Sequence, residues 1–400
     1  MEVTEDELLE ATKRMASRDV TPGPDGIPGR AWAELMNIMA PRLRPLLTRC
    51  LKEGVYPRAW RMAKLVLLKK EGRPLDSTAA YRPVCPLDEV GKLLEKIIAT
   101  RLEAHLSQRV SGWHNSQYGF RRGRFTVDAV NCVRAMAEAM VSQNGVALAV
   151  SLDITNAFNT IPWDVVIEVP PYLIRVIRAY LSDRWITYRN NREEEARRSV
   201  ERGVSQSSVL GPILWITAYD SVLRCPQPPG TGIVCYADDT LILAQGRWFY
   251  ETLKLSEVVV ACAVRAFQEL GLSVSPAKSE AMWFFDQHRR GVPPLGLCVN
   301  ICGEKVQVGL QMKYLGLTNQ WMFGPHYELL VPKVTNTLCG QRLMRPIAKH
   351  WRGWSRSSST IRVSDSIQGA GPGVGVRSTE ESSQLTATEE VAEDYLHPNS

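Results

Sequence analysis

Val234-Cys235-Tyr236-Ala237-Asp238-Asp239-Thr240-Leu241-Ile242-Leu243 sets two adjacent carboxylates between two short runs rich in β-forming residues. The pattern predicts strand, turn, strand, with the acids at the tip. Carboxylates held on a rigid hairpin suit two divalent cations about 4 Å apart, the clamp used for in-line phosphoryl chemistry. Asp is also a common turn residue, and an Asp-Asp turn more often does nothing else. What changes the balance is a partner upstream.

That partner is Asp153. The run Val146-Ala147-Leu148-Ala149-Val150-Ser151-Leu152 reads as a buried strand that ends on this carboxylate, and Ile154-Thr155-Asn156-Ala157-Phe158-Asn159 follows. An acid closing one strand and an acid pair capping a neighbouring hairpin could converge on one metal site. Taken alone, Asp153 serves equally as an N-cap for the segment after it.

Four hundred residues suffice for a substantial core in two or three subdomains. Hydrophobic content of 44% and charged content of 22% are ordinary for a globular chain. The net charge of +6 is uneven: residues 351–400 carry four Arg against seven acids, so residues 1–350 carry +9. A basic body favours a polyanionic partner, though weakly as an argument. Nine cysteines show no secreted spacing, and Cys298 and Cys302 lack the further ligands of a tetrahedral site, so free thiols in a reducing compartment are expected. No leader and no apolar run near the ~20 residues of a membrane helix is visible, which predicts an intracellular, non-membrane protein.

The first twenty residues read as a charged helix, broken by the turn cluster Thr21-Pro22-Gly23-Pro24-Asp25-Gly26-Ile27-Pro28. Helices are expected at Ala31–Met39, Leu43–Lys52, Val90–Leu106, Ser207–Val222 and Trp248–Leu270, the last with Gly271 as its C-cap. Short strands are expected at Lys64–Leu68, Glu280–Phe285, Val299–Ile301, Lys305–Val308 and Lys313–Leu315. The loop Gln117-Tyr118-Gly119-Phe120-Arg121-Arg122-Gly123-Arg124 offers Gly for close approach and Arg for phosphates, although a merely solvated basic loop has the same composition. From residue 351 the chain turns Ser- and Gly-rich, which predicts a disordered tail.

The hairpin acids and Asp153 resemble motifs C and A of a right-hand nucleic-acid polymerase, and Tyr236-Ala237-Asp238-Asp239 is the form characteristic of reverse transcriptases. Residues 21 to about 318 resemble the reverse-transcriptase domain of a non-LTR retrotransposon, with the arthropod elements inserted into ribosomal RNA genes as the nearest likeness. The resemblance is a series in order. It runs through Pro22–Pro28, Lys64–Lys69, Tyr81-Arg82-Pro83-Val84, Gly91-Lys92-Leu93-Leu94-Glu95, Gln117–Arg121, Leu152-Asp153 with Ala157-Phe158-Asn159, and Gly203-Val204 with Gln206 and Ser208–Pro212. It closes on Tyr236–Asp239, Gly271-Leu272 with Lys278, and Tyr314-Leu315-Gly316.

The resemblance implies an α+β right-hand fold whose palm is an antiparallel sheet flanked by helices. Residues 1–20 would be an N-terminal helical segment, 21–145 fingers, 146–318 palm, 319–350 the start of a thumb and 351–400 the tail. It implies an RNA template, a DNA primer, dNTPs and two Mg²⁺ ions, with Mn²⁺ as the alternative, and other proteins of the same element as further partners; the nucleus or the cytoplasm would house it. Asp153, Asp238 and Asp239 would hold the metals. Lys278 would donate a proton to departing pyrophosphate, although a lone loop Lys is ordinarily a solvated charge. Phe158 would gate against a 2′-hydroxyl, with a core aromatic as the plain alternative. Gln206 would reach the nucleotide sugar, and Lys69 and Arg82 the triphosphate or template phosphates. Gln117, Arg121, Arg122, Arg124 and Ser207 would lie along the template–primer.

The resemblance implies an RNA-directed DNA polymerase that adds dNMP to a primer 3′-hydroxyl by two-metal chemistry. Three departures suggest a truncated or degenerate copy, with a relic that only binds nucleic acid as the alternative. Ser205-Gln206-Ser207 stands where the family has Pro-Gln-Gly, and a Ser there would be strained if the backbone needs φ > 0. Only Val165–Glu168 separate Trp163-Asp164 from Val169-Pro170-Pro171, about two helical turns short of the family. The Tyr314-Leu315-Gly316 region runs early into Asn319-Gln320-Trp321, and the tail could be an out-of-frame reading of the thumb. On this reading the chain starts inside the fingers, without an upstream endonuclease domain or a downstream Cys/His cluster.

Overall fold

The computed structural model describes residues 1–16, 21–69, 80–108, 112–143, 145–155, 157, 169–189, 194–201, 203–205 and 207–316. Its centre is a strand made almost wholly of small and branched apolar residues, β4 (Val146–Thr155). Val146 to Val150 are completely buried, because both faces of β4 are covered. Alternation sorts them: Val146, Leu148, Val150, Leu152 and Ile154 enter the large core, whereas Ala147 and Ala149 enter a smaller one on the other face.

β4 pairs antiparallel with the hairpin strand β8 (Asp239–Gly246) on one side and with β9 (Ser273–Phe284) on the other. β7 (Thr231–Tyr236) closes one edge, and β10 (Cys298–Ile301) with β11 (Glu304–Gly309) the other, giving the order β10-β11-β9-β4-β8-β7. The sheet is not wholly antiparallel as expected. β11 runs parallel to β9, since β11 belongs to a hairpin with β10 and reaches β9 only through Val308 and Gly309.

Helix α4 (Thr126–Ser142) packs Ala129, Val130, Val133, Ala137 and Met140 against the small-core face. On the opposite face lies a long amphipathic helix, α7 (Phe249–Glu269), and Gly271 after it takes φ +69 as the helix C-terminal stop requires. α6 (Leu210–Leu223), apolar on nearly every side, packs against it, and α5 (Pro171–Leu181) joins the same core. The N-terminal layer is α1 (Glu5–Ala16), α2 (Gly29–Glu53) and α3 (Glu89–Ser107).

The two helices expected at 31–39 and 43–52 are one helix, α2, which runs through Pro41 and Pro45. Both prolines are exposed, and the carbonyls they leave unpaired, on Asn37 and Pro41, belong to exposed residues that water can serve. The single strand expected at 64–68 is two, β1 (Met62–Lys64) and β2 (Val66–Lys69). β1 joins a small sheet with β5 (Arg184–Arg189) and β6 (Glu195–Val200); β2 pairs with β3 (Tyr81–Val84). Lys313–Leu315 forms no strand, only a bridge at Tyr314. The eight described cysteines are free thiols, and among the described residues no helix is long and apolar enough to cross a membrane. Residues 317–400, with the expected thumb start and tail, lie outside the described residues.

Candidate active site

The register of the hairpin ends on the pair Tyr236–Asp239, so Ala237 and Asp238 form its turn. Ala237 has φ +60, in the left-handed region that disfavours a side chain. A single buried amide holds it there. Gln117, 1% exposed, accepts at Oε1 from the Ala237 N–H (3.1 Å) and from Gly119 N–H (2.9 Å). Its Nε2 donates to the Ala237 carbonyl at 3.3 Å. Backbone bonds on either side fasten the loop to β7: Tyr118 N–H to Cys235 O and Cys235 N–H to Ser116 O, both 2.8 Å. The approach is close enough that a Cβ on Gly119 would lie 2.0 Å from Ala237 N.

A second set of bonds supports the turn from beneath. The buried Thr240 hydroxyl donates to Asp238 O at 3.3 Å and is itself bonded to the Tyr219 hydroxyl of α6. Cys235 Sγ donates to the same Thr240 oxygen at 3.6 Å. The carboxylates therefore ride on a tip whose backbone is tied to both the 114–120 loop and α6.

β4 delivers the third carboxylate. The β4–β8 ladder ends at Leu152–Thr240, so Asp153 and Asp239 are the next residues on adjacent strands. β4 continues to Thr155, which rules out Asp153 as a helix N-cap. Opposite Asp153, β9 bulges: Ser151 pairs with Glu280 but Asp153 with Ser275. The extra residues are closed by Ser279, whose hydroxyl donates to Ser275 O (2.9 Å) and accepts from Asp153 N–H (3.3 Å). The bulge re-aims Lys278 so that its Nζ lies 3.6 Å from Asp153 Oδ2.

The three acids crowd one another. Desolvation, then the charges of Asp238 and Asp153, push the Asp239 carboxyl up to about 6, although the side chain keeps solvent contact at the tip. Asp238 is raised too, by desolvation and then by Asp153. A donor set of hard oxygens that resist carrying their charges together fits a hard divalent cation. Among the described residues no three acidic, His or Cys side chains are gathered tightly enough to enclose an ion, and Asp153 is turned toward Lys278 instead.

The structure places Asp153 and the pair Asp238 and Asp239 at the same end of the β4–β8 ladder, short of a closed metal cluster, and sets Lys278 beside Asp153. Gln117 is 1% exposed, and its amide is spent on the Ala237 turn. Arg121 and Arg124 fold back likewise. Arg121 donates to His114 O (3.0 Å) and Gln117 O (3.2 Å) and covers Trp113; Arg124 bonds Asn115 and covers the Tyr118 ring at 4.9 Å. Arg122 is exposed. Lys69 is exposed at the end of β2, and Arg82 lies on β3. Phe158 and Gln206 lie outside the described residues. Ser207 donates to Cys85 O, as does Ser205 (2.9 Å), and its backbone does not occupy the left-handed region, so the feared strain at this position is absent.

Glu95 closes the Gly91-Lys92-Leu93-Leu94-Glu95 motif. It is fully buried on α3, and its Oε2 accepts from Ser208 Oγ (2.9 Å), Val209 N–H (2.7 Å) and Leu210 N–H (3.1 Å), capping α6. The sequence signal was there: buried Gly91, Ile98 and Leu102 lie at i−4, i+3 and i+7, so an acid occupies the apolar stripe.

A carboxylate pair on a hairpin tip thus stands beside a strand-borne carboxylate. The family model "Reverse transcriptase (RNA-dependent DNA polymerase)" matches residues 68–319, and the chain belongs to that family, with its right-hand polymerase fold. It is 28% identical over 89% of its length to a protein named "Retrovirus-related Pol polyprotein from type-1 retrotransposable element R1" of Bradysia coprophila, covering 35% of that protein. It is 27% identical over 90% of its length to "Probable RNA-directed DNA polymerase from transposon BS" of Drosophila melanogaster, covering 40% of it. A third relative, 26% identical over 64% of the chain, is the corresponding polyprotein of element R2 from Popillia japonica, of which 36% is covered. The chain thus spans well under half the length of these relatives.

Proposed function

We propose that this chain is the RNA-copying DNA polymerase part of a non-LTR retrotransposon, with residues 21–145 as fingers and 146–318 as palm. The observation that carries the reading is the charge-coupled trio Asp153, Asp238 and Asp239 at the end of the β4–β8 ladder. These residues would hold two Mg²⁺ ions. When bound, the ions activate the primer 3′-hydroxyl and neutralise charge on the transferring phosphoryl group. The O3′–Pα bond forms as the bond to pyrophosphate breaks, and Lys278, beside Asp153, is placed to give the leaving group its proton. Phe158 and Gln206 would frame the nucleotide sugar, Lys69 and Arg82 the triphosphate, and Arg122 the template backbone. The tight turn at Ala237 and its Gln117 clamp supply the preorganisation such chemistry needs.

The test is dNTP incorporation on a primed RNA template with Mg²⁺, beside Asp238→Asn. Extension by the parent chain that the variant loses is the expected result. Equal extension by both, or none by a folded parent that binds the primer–template, rejects the assignment.

A further inference from the structure

The strands that carry the carboxylates at one end carry a basic cavity at the other. Gly246, the last residue of β8, pairs with Val146, the first of β4, and Asp239 lies seven residues away. At about 3.3 Å per residue, the cavity is about 23 Å from the acids. It measures about 700 Å³, and Gln143, Gln245, Arg247, Arg289 and Arg290 line it with three glycines and no acid. We propose that this cavity and the surface beside it form a second binding site for single-stranded nucleic acid, separate from the polymerase site.

Three features support the assignment. The first is charge. Of the carboxylates close in sequence, Glu251 accepts from the backbone N–H groups of Arg247 (2.7 Å) and Trp248 (3.3 Å), and Asp286 accepts from His288 N–H (2.9 Å) and pairs with Arg289 (3.3 Å), so Arg247 and Arg290 carry the argument. The second is an unmet donor. Arg290 Nε is buried without a hydrogen-bond partner among the described residues, while its guanidinium lies 5.0 Å over the Trp248 ring. Nε itself is covered, so a phosphate oxygen would be met by the terminal nitrogens of the same guanidinium. The third is aromatic surface: Trp248, in contact with the lining Arg290, is 59% exposed, and Tyr250, two residues further along the chain, is 63% exposed. Arginines for the backbone and open rings for bases make the pairing that holds single strands without reading their sequence. A protein partner would favour the rings but gives no reason for three arginines and no acid in the lining.

The choice of ligand rests on the polymerase reading, and the test separates the two. Binding of an oligouridylate of about 20 nucleotides to the 400-residue chain is followed by fluorescence anisotropy across a salt series, with melting as a check on folding. Arg247→Ala with Arg290→Ala should weaken binding about tenfold and flatten the slope of log K against log salt by about 1.4. Arg247→Glu, at an exposed position, serves if the double variant does not fold. 5-Iodouridine in the oligonucleotide should cross-link to Trp248, and extension of a short primed template should stay at the parent level. Unchanged affinity and slope would overturn the proposal and leave the surface to a protein. A parent chain that never extends a primer removes the polymerase reading, yet the binding arm still decides this site.

Discussion

Ala237 is held in a conformation that costs a non-glycine residue about 1–3 kcal/mol, and one glutamine satisfies both its N–H and its C=O. Gln117→Met keeps the size and removes the amide, leaving three buried backbone groups unpaired: the N–H and C=O of Ala237 and the N–H of Gly119. The expected loss is about 2–3 kcal/mol in denaturant unfolding, with primer extension falling at least about tenfold as the turn relaxes. Gln117→Glu should regain activity relative to the parent as pH falls, because only the protonated carboxyl can both donate and accept at Ala237. Asp239 makes the complementary case. Its carboxyl, raised to about 6, binds a proton more readily in the folded chain than in the unfolded one. Its charge therefore opposes folding above about pH 6, and the opposition is relieved as pH falls through that value. Asp239→Asn should raise the Tm of the metal-free chain at neutral pH by about 1–3 °C, a modest effect because solvent screens an exposed tip. The same variant should lose extension, and the parent's extension should itself decline as pH drops through about 6. A Tm lowered by the substitution would contradict the crowding of the acids.

At the scale of the element, the start of α6 depends on Glu95 of α3. Its oxygen serves one hydroxyl and two helix N–H groups, and Tyr180 donates to the same Ser208 hydroxyl at 2.7 Å. Glu95→Ala strands those donors in a dry interior and should cost about 3–5 kcal/mol by denaturant unfolding. A loss below about 1 kcal/mol would mean that α6 is capped by other means. Elements were legible in the sequence where one periodicity ran unbroken. β4, the hairpin of β7 and β8, and α7 all read directly from their apolar residues. β9 was half visible, because Pro276, Ala277 and Lys278 in its bulge break the alternation that marks a strand. β6 was not visible, since Glu195, Arg197 and Arg198 on an exposed edge look like loop. Gln117 looked like a nucleic-acid contact because a polar residue in a basic loop carries no sign of its 1% exposure.

For the whole molecule, one sheet divides two apolar cores, and β4 contributes alternate side chains to each. Leu148→Ala, at a fully buried position, should cost about 2–5 kcal/mol. Because the cores share the strand, Trp215 fluorescence, reporting the large core, and thiol labelling of Cys132, beside the small one, should lose structure at one common midpoint. Two midpoints would show that the layers melt apart. The fold class was legible from the order of motifs along the chain, whereas the assembly of the small β1-β5-β6 sheet, which joins segments over a hundred residues apart, was not. Lys278 stands on a bulge instead of a regular strand, so its ammonium can leave Asp153 without unzipping a ladder. The resting chain supplies its own counter-ion, and an arriving cation must displace it. At the proposed metal site the competition would be reciprocal: a triphosphate that draws Lys278 away would tighten the hold on the cation by the factor by which the cation tightens the hold on the triphosphate.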